Sequence, residues 1–262
     1  MTRMTLPRAL RSELQRLARS PLAAAHAACA LAAGLACGAY FAVAPWDARL
    51  GADAYVQFLG ALMPLMSGIS CGLAADEERG AGRLANLTAV PSRGRAALGM
   101  WLALALMGAG ALAVALGTFG GILAASGRLS LGVAPLLRAW AGIALGSLPL
   151  YALELSCALL LGRNAAIGAG AAGTLVAFLS VGGLAHGLMT GELTGTLGGP
   201  IGWAPLAWPA RLGSLGVESL MDPSRALGPL LGVALASSAL SLVAGAALVA
   251  WFSRFEGRRD DA

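Results

Sequence analysis

There is no lysine in these 262 residues; all eighteen cationic side chains are arginine. That absence excludes a phosphate-loop lysine, a Schiff-base lysine and a Ser–Lys dyad. Charge of either sign is scarce, at 12% against about 25% in soluble domains. Cysteine is sparse too: Cys29, Cys37, Cys71 and Cys157 form no CxxC pair, and His26 and His186 are far apart. A metal centre or disulfide framework is therefore not expected, and the cysteines read as small buried residues of membrane helices. Abundant Arg, Ala and Gly without Lys is the usage of a GC-rich bacterial genome. The net charge of +5 does not call for nucleic acid, because the arginines fall where membrane topology places them.

What the chain has is long apolar runs. Residues 20–46, 96–127 and 226–253 contain no Asp, Glu or Arg. About 20 apolar residues cross about 30 Å of hydrocarbon, whereas a β-barrel would show short alternating segments. The pattern predicts an all-α polytopic membrane protein with a single transmembrane domain over 1–262 and six spans, at about 21–44, 55–75, 96–124, 139–161, 165–188 and 228–252. The first run is too long for a signal-peptide core and reads as the first span. Residues 1–20 carry Leu6, Leu10, Leu14 and Leu17 on one stripe backed by arginines, the pattern of an interfacial helix as well as of a positive flank.

Placing the N-terminus inside puts thirteen arginines inside and five outside. Inside are Arg3, Arg8, Arg11, Arg16, Arg19, Arg79, Arg83, Arg93, Arg95, Arg163, Arg254, Arg258 and Arg259; outside are Arg49, Arg128, Arg138, Arg211 and Arg225. The bias assigns both termini to the cytoplasm. The connection 189–227, rich in Gly and Pro and carrying Trp203 and Trp208, becomes extracytoplasmic. The segment 76–95, from Asp76-Glu77-Glu78-Arg79-Gly80 to Pro91-Ser92-Arg93-Gly94-Arg95, becomes the first cytoplasmic loop. Leu84 and Leu87 recur at helical spacing and Pro91 ends the pattern. The segment reads either as a contact surface for another protein or as a solvated charged loop. No connection could house a soluble domain, so any ATP-driven work needs another chain.

Four local patterns tempt. Gly168-Ala169-Gly170-Ala171-Ala172-Gly173 matches GxGxxG, but a dinucleotide site needs a strand before it. Within a span it reads as close helix packing, as do Gly34/Gly38, Gly68/Gly72, Gly117/Gly121, Gly142/Gly146 and Gly183/Gly187. Ser147 and His186 lack the nucleophile turn of an intramembrane serine protease, and Asn86-Leu87-Thr88 is a sequon on the cytoplasmic side. Glu154 is read as the only acid well inside a span, where a charge costs at least about 2.5–3.5 kcal/mol. It is expected either on a translocation path, as a proton-sensitive site, or in a structural hydrogen bond.

In order and spacing the motifs resemble the permease subunits of type-2 ABC exporters, most closely the lantibiotic-immunity and bacteriocin-export permeases. Glu13-Leu14-Gln15-Arg16 through Ser20 is similar to the family's E-x-x-K-x-x-x-S pattern, with Arg16 in place of Lys. Gln57-Phe58 through Pro64-Leu65 resembles its second-span opening. Asp76 to Leu87, then Pro91-Ser92-Arg93, resembles its acidic–glycine loop. Leu161-Gly162-Arg163-Asn164 resembles the turn before its fifth helix, and Ala204-Pro205-Leu206-Ala207-Trp208-Pro209 its PW-x-x-P loop with Trp displaced.

The resemblance implies a permease that is not itself an enzyme, paired with an identical or related permease in the bacterial cytoplasmic membrane. Two ATPase subunits would bind ATP-Mg, this chain binding no cofactor. Glu77, Glu78, Gly80, Leu84, Leu87, Pro91 and Arg93 would form the coupling surface. The substrate would be an amphipathic antimicrobial peptide or antibiotic, expelled as self-immunity, with Trp203 and Trp208 at the membrane surface. A lipid or glycan substrate is the alternative within the family. A proton-coupled secondary transporter using Glu154 is the alternative outside it.

Overall fold

The computed structural model describes residues 4–82, 84–130, 132–180, 186–193, 195–197 and 199–255. Arg3, Arg83, Gly183 and the tail arginines Arg258 and Arg259 lie outside them. The described residues are helical and contain no strand. The helices are α1 (Leu6–Arg19), α2 (Pro21–Val43), α3 (Ala48–Gly80), α4 (Ala85–Thr88), α5 (Arg93–Ala125), α6 (Ala134–Leu161), α7 (Arg163–Ser180), α8 (His186–Thr190), α9 (Trp208–Glu218) and α10 (Pro223–Ser253). Five of them, α2, α3, α5, α6 and α10, are long and apolar enough to cross a membrane. This is an all-α, multi-pass membrane protein.

Local chemistry sets several starts. The Ser20 hydroxyl accepts from the Leu22 N–H at 3.2 Å and Pro21 opens α2. Asp47 caps α3 by accepting from the Arg49 N–H at 2.7 Å, which holds its carboxyl below the usual range. Asp222 does the same for α10, and the Ser224 hydroxyl, then the Arg225 N–H, lower its pKa.

Three boundaries differ from the sequence reading. The second span starts at Ala48, not 55, because Asp53 and Gln57 bury their polar groups against each other rather than facing water. At its other end α3 runs without a break through Asp76, Glu77, Glu78 and Arg79, so the polar segment begins as helix. α7 is 18 residues long, about 27 Å, and its Arg163, Asn164 and glycines keep it out of the membrane-crossing class. It runs antiparallel to α3, from the Arg163–Asp76 pair at 2.9 Å to Phe178 beside Phe58.

The bundle has two ends. At one, here the near end, Arg163 meets Asp76, Arg95 meets the Met4 carbonyl and Arg93 meets the Phe255 carbonyl. At the far end Arg128 meets the Ala44 and Trp46 carbonyls, and Asp47, Arg49, Asp222 and Arg225 line one cleft. Of the described arginines, Arg93, Arg95 and Arg163 thus lie at one end and Arg49, Arg128 and Arg225 at the other.

Glycines set how closely helices approach. Gly34 and Gly38 seat α2 on α5 at Thr118 and Ile122, and Gly68 and Gly72 seat α3 on α7 at Ala166 and Arg163. Gly170 lies against the Pro64 carbonyl and Gly173 against the Pro64 ring, while Gly168 faces open space. The GxGxxG letters are therefore a packing seam on two of their three glycines. Gly117 and Gly121 touch nothing within 4 Å. Gly170→Ala is expected to lower thermal stability, since overpacking costs about 1–3 kcal/mol. Gly168→Ala should leave it unchanged or slightly raised; scanning fluorimetry on both variants checks this contrast.

The connection 189–227 is not a surface loop. After 3-10 turns at Pro200–Trp203 and Pro205–Ala207 it folds back as α9, and all eleven residues of α9 are buried. α9 sits among α3, α6 and α10. Gly60, Gly142 and Gly146 let it in: a Cβ on any of them would overlap the backbone of Ala210, Leu212 or Pro209 respectively. Trp208 is buried with it, its indole N–H donating to the Trp203 carbonyl at 3.0 Å, and Trp203 alone of the pair is exposed.

Candidate functional site

The near end is built around Arg16. From α1 its guanidinium lies 2.9 Å from Glu13, 3.3 Å from Glu77 and 3.2 Å from Glu78. The Ser20 hydroxyl donates to Glu77 at 2.9 Å. α1 reaches this position because its inner face is Ala9, Glu13 and Leu17, and because Gly99 of α5 lets Ala9 approach. Burial pushes the Glu13 carboxyl up, against the downward pull of Arg16. α1 is thus amphipathic as expected, but its inner face covers this chain's own bundle and clasps the end of α3.

Beyond the clasp the chain turns through Leu84, the only described non-glycine residue with positive φ (68°). A left-handed leucine costs about 1–2 kcal/mol and persists only where its surroundings hold it. Here the Leu84 N–H donates to the Glu78 carbonyl at 3.1 Å, and its own carbonyl accepts from the Thr88 N–H and hydroxyl, both at 2.9 Å. Arg93 donates to the Thr88 carbonyl at 3.1 Å. α4 is therefore fastened to both α3 and α5.

The predicted coupling residues divide. Glu77, Gly80 and Pro91 are exposed. Glu78, Leu84 and Leu87 are buried, with Leu87 fully so. Arg93 spends its donors on Thr88 and Phe255. The leucines are thus anchors of α4, not knobs for another protein, because the left-handed turn at Leu84 points the stripe inward. The outer face is instead Ala81, Ala85, Asn86 and Ala89, all exposed. No signal in the sequence marked these small residues.

Arg79 closes the same end by donating to the Ala158 and Leu159 carbonyls at 2.8 and 2.9 Å. A cation there complements the C-terminal pole of α6.

Within the spans, Glu154 projects from α6 towards α3 and α7 and is 5% exposed. A Cβ on Gly68 would stand 3.2 Å from its Oε2. Ser67 is its polar neighbour, but that hydroxyl donates to the Met63 and Pro64 carbonyls. Neither carboxyl oxygen has a hydrogen-bond partner among the described residues. Nor is Glu154 the only buried acid: Asp53, 2% exposed, accepts from Gln57 at 2.8 Å and from the Ser214 hydroxyl of α9 at 2.5 Å. Drawing the second span from residue 55 hid it.

Arg211 of α9 donates to the Gly202 carbonyl at 3.0 Å and stacks on Trp203, 4.8 Å from the ring centroid. Arg138 donates to the Ser219 hydroxyl at 2.9 Å. Glu218 accepts from the Thr196 N–H and hydroxyl at 3.1 and 2.9 Å. These contacts fix α9 from outside as the glycines fix it from within. No cluster of His, Cys, Asp and Glu among the described residues could hold a metal ion. No family model, curated protein or solved structure matches this chain.

Proposed function

We propose that this chain is the membrane-spanning permease subunit of an ATP-driven exporter. A separate ATPase, in two copies, binds ATP-Mg and docks on the near end, and a second permease, identical or related, completes the pore. One observation carries the reading: α4 is exposed on its small-residue face and fastened on its other to the ends of α3 and α5. A docked subunit that pushes on α4 moves two membrane helices together, which is how a two-state membrane element is biased from outside. A solvated loop has no need of the strained turn at Leu84.

In this reading the near end is cytoplasmic in the bacterial inner membrane. α6 ends and α7 begins at the near end, while α10 starts at the far end beside Asp47. α7 then supplies the sixth pass. The cargo is an amphipathic antimicrobial peptide or antibiotic; a lipid or glycan cargo would use the same machinery.

The test is co-purification from mild detergent. Wild type is expected to bring down an ATPase, and Ala85→Trp with Ala89→Trp to lose it while eluting as a folded, monodisperse protein. Glu78 and Leu84 are unsuited to this test, because their burial makes any charge change a folding defect. If wild type retains no ATPase, the reading fails.

A second reading, a proton-coupled transporter, draws on Glu154, whose carboxyl has no described partner in the bundle. It predicts that Glu154→Gln abolishes transport driven by a pH gradient in proteoliposomes without nucleotide. The exporter reading predicts no such transport by wild type.

A further inference from the structure

α2, α3, α5 and α6 line a half-open cavity of about 100 Å³. Its wall is leucine, methionine, alanine and glycine, with Cys29, His26 and Tyr151 the exceptions. Both ring nitrogens of His26 are engaged, Nδ1 with the Leu22 carbonyl at 3.2 Å and Nε2 with the Ser70 hydroxyl at 2.8 Å. The Tyr151 hydroxyl is different. It lies against Gly108, itself part of the wall, in a residue only 1% exposed; Ser70 is its polar neighbour, but that hydroxyl is engaged with His26 and the Met66 carbonyl, and Tyr151 has no hydrogen-bond partner of its own among the described residues. Gly108 is what gives it room: any Cβ there would overlap the hydroxyl.

A buried water needs two to four polar partners, and an apolar cavity of about 150 Å³ stays dry and takes up benzene instead. An unanswered buried hydroxyl costs about as much as a lost hydrogen bond, so its counterpart must be polar at one point and apolar elsewhere. A phospholipid headgroup does not reach it, since Tyr151 lies ten residues before Leu161, about 15 Å along the helix. Access is from the side: Cys29 is both exposed on α2 and part of the wall.

We propose that this cavity binds a neutral lipophile carrying one hydroxyl or carbonyl group, drawn from the bilayer past Cys29 and anchored on the Tyr151 hydroxyl. Such binding needs no nucleotide and no second subunit, so it stands or falls apart from the exporter reading.

Site-resolved alkylation tests it. Full-length protein in phosphatidylcholine nanodiscs is treated with N-ethylmaleimide, with dodecanol or dodecane as probe, and modification is read by mass spectrometry. Dodecanol is expected to slow alkylation of Cys29 about fivefold, the scale of one hydrogen bond, with dodecane much weaker and half-buried Cys157 unaffected by either. Tyr151→Phe should erase the difference between the two probes, and Ala111→Phe, which fills the wall, should erase protection by both. Equal protection by dodecanol and dodecane in wild type overturns the proposal. So does protection of Cys29 without any probe that disappears when nanodiscs hold one copy, for then a second copy covers the cavity.

Discussion

Arg16→Leu should cost about 2–3 kcal/mol and detach α1 from the near end. One guanidinium answers Glu13, Glu77 and Glu78, whose side chains are 12%, 39% and 2% exposed. Breaking a fully buried ion pair costs about 3–5 kcal/mol, because the surviving charge stays in the low-dielectric interior. The lower figure is expected here because Arg16 is itself 25% exposed. Removing it leaves Glu13 and Glu78 facing each other with no cation. Arg16→Lys should recover part of the loss, since a point charge cannot serve three carboxylates as a planar fork does. The deficit should also shrink on acidification. Glu13 already has a raised pKa, so its charged form opposes folding at neutral pH, and that opposition fades as pH falls through the raised value. Scanning fluorimetry at pH 8 and pH 5, with limited proteolysis between α1 and α2, reads both effects. Equal melting of variant and wild type at both pH values would mean that α1 is not held by this cluster.

Gly60→Val should be worse, and through geometry alone. The contact is backbone against backbone: a Cβ at Gly60 would overlap Cα and N of Ala210 in α9. No side chain can swing aside, so either α9 leaves its place or α3 shifts. α3 is itself tied to α7 close by, where the Leu65 amide donates to the Thr174 hydroxyl at 3.1 Å. Displacing α9 would strand Ser214 from Asp53 and take Leu212 and Trp208 from their cluster with Val233. The expected outcome is loss of a monodisperse peak on size exclusion and a cost above about 3 kcal/mol, the upper end of overpacking. Gly199→Val, a change at a glycine facing open space, is the matched control and should behave as wild type.

These two sites mark what the sequence does and does not announce. The apolar runs were legible because length and hydropathy are properties of the chain itself, and α2, α5, α6 and α10 lie close to where they were expected. The amphipathic stripe of residues 1–20 was legible too, but its partner was not: only folding brings Arg16 to Glu77, 61 residues away. The burial of Leu84 and Leu87 depends on a left-handed turn at a leucine, which no propensity favours. The Gly and Pro content of residues 189–227 and the arginine bias point to an external connection, and within it α9 is short and proline-led. Its burial rests on glycines of other helices, whose spacing says that something packs there and not what. Glu154 stood out as a lone acid, whereas its lack of a donor is visible only once α3 and α7 are in place.

In the exporter reading the outer face of α4 is the place where another subunit pushes. Photo-crosslinking from Asn86→benzoylphenylalanine in intact cells, with Gly127→benzoylphenylalanine at the far end as the comparison, tests it most directly. The account predicts an adduct from position 86 with a nucleotide-binding subunit, altered when ATP is depleted, and none of that kind from position 127. Capture of the nucleotide-binding subunit from position 127, or from neither position while both variants remain folded in the membrane, would contradict it.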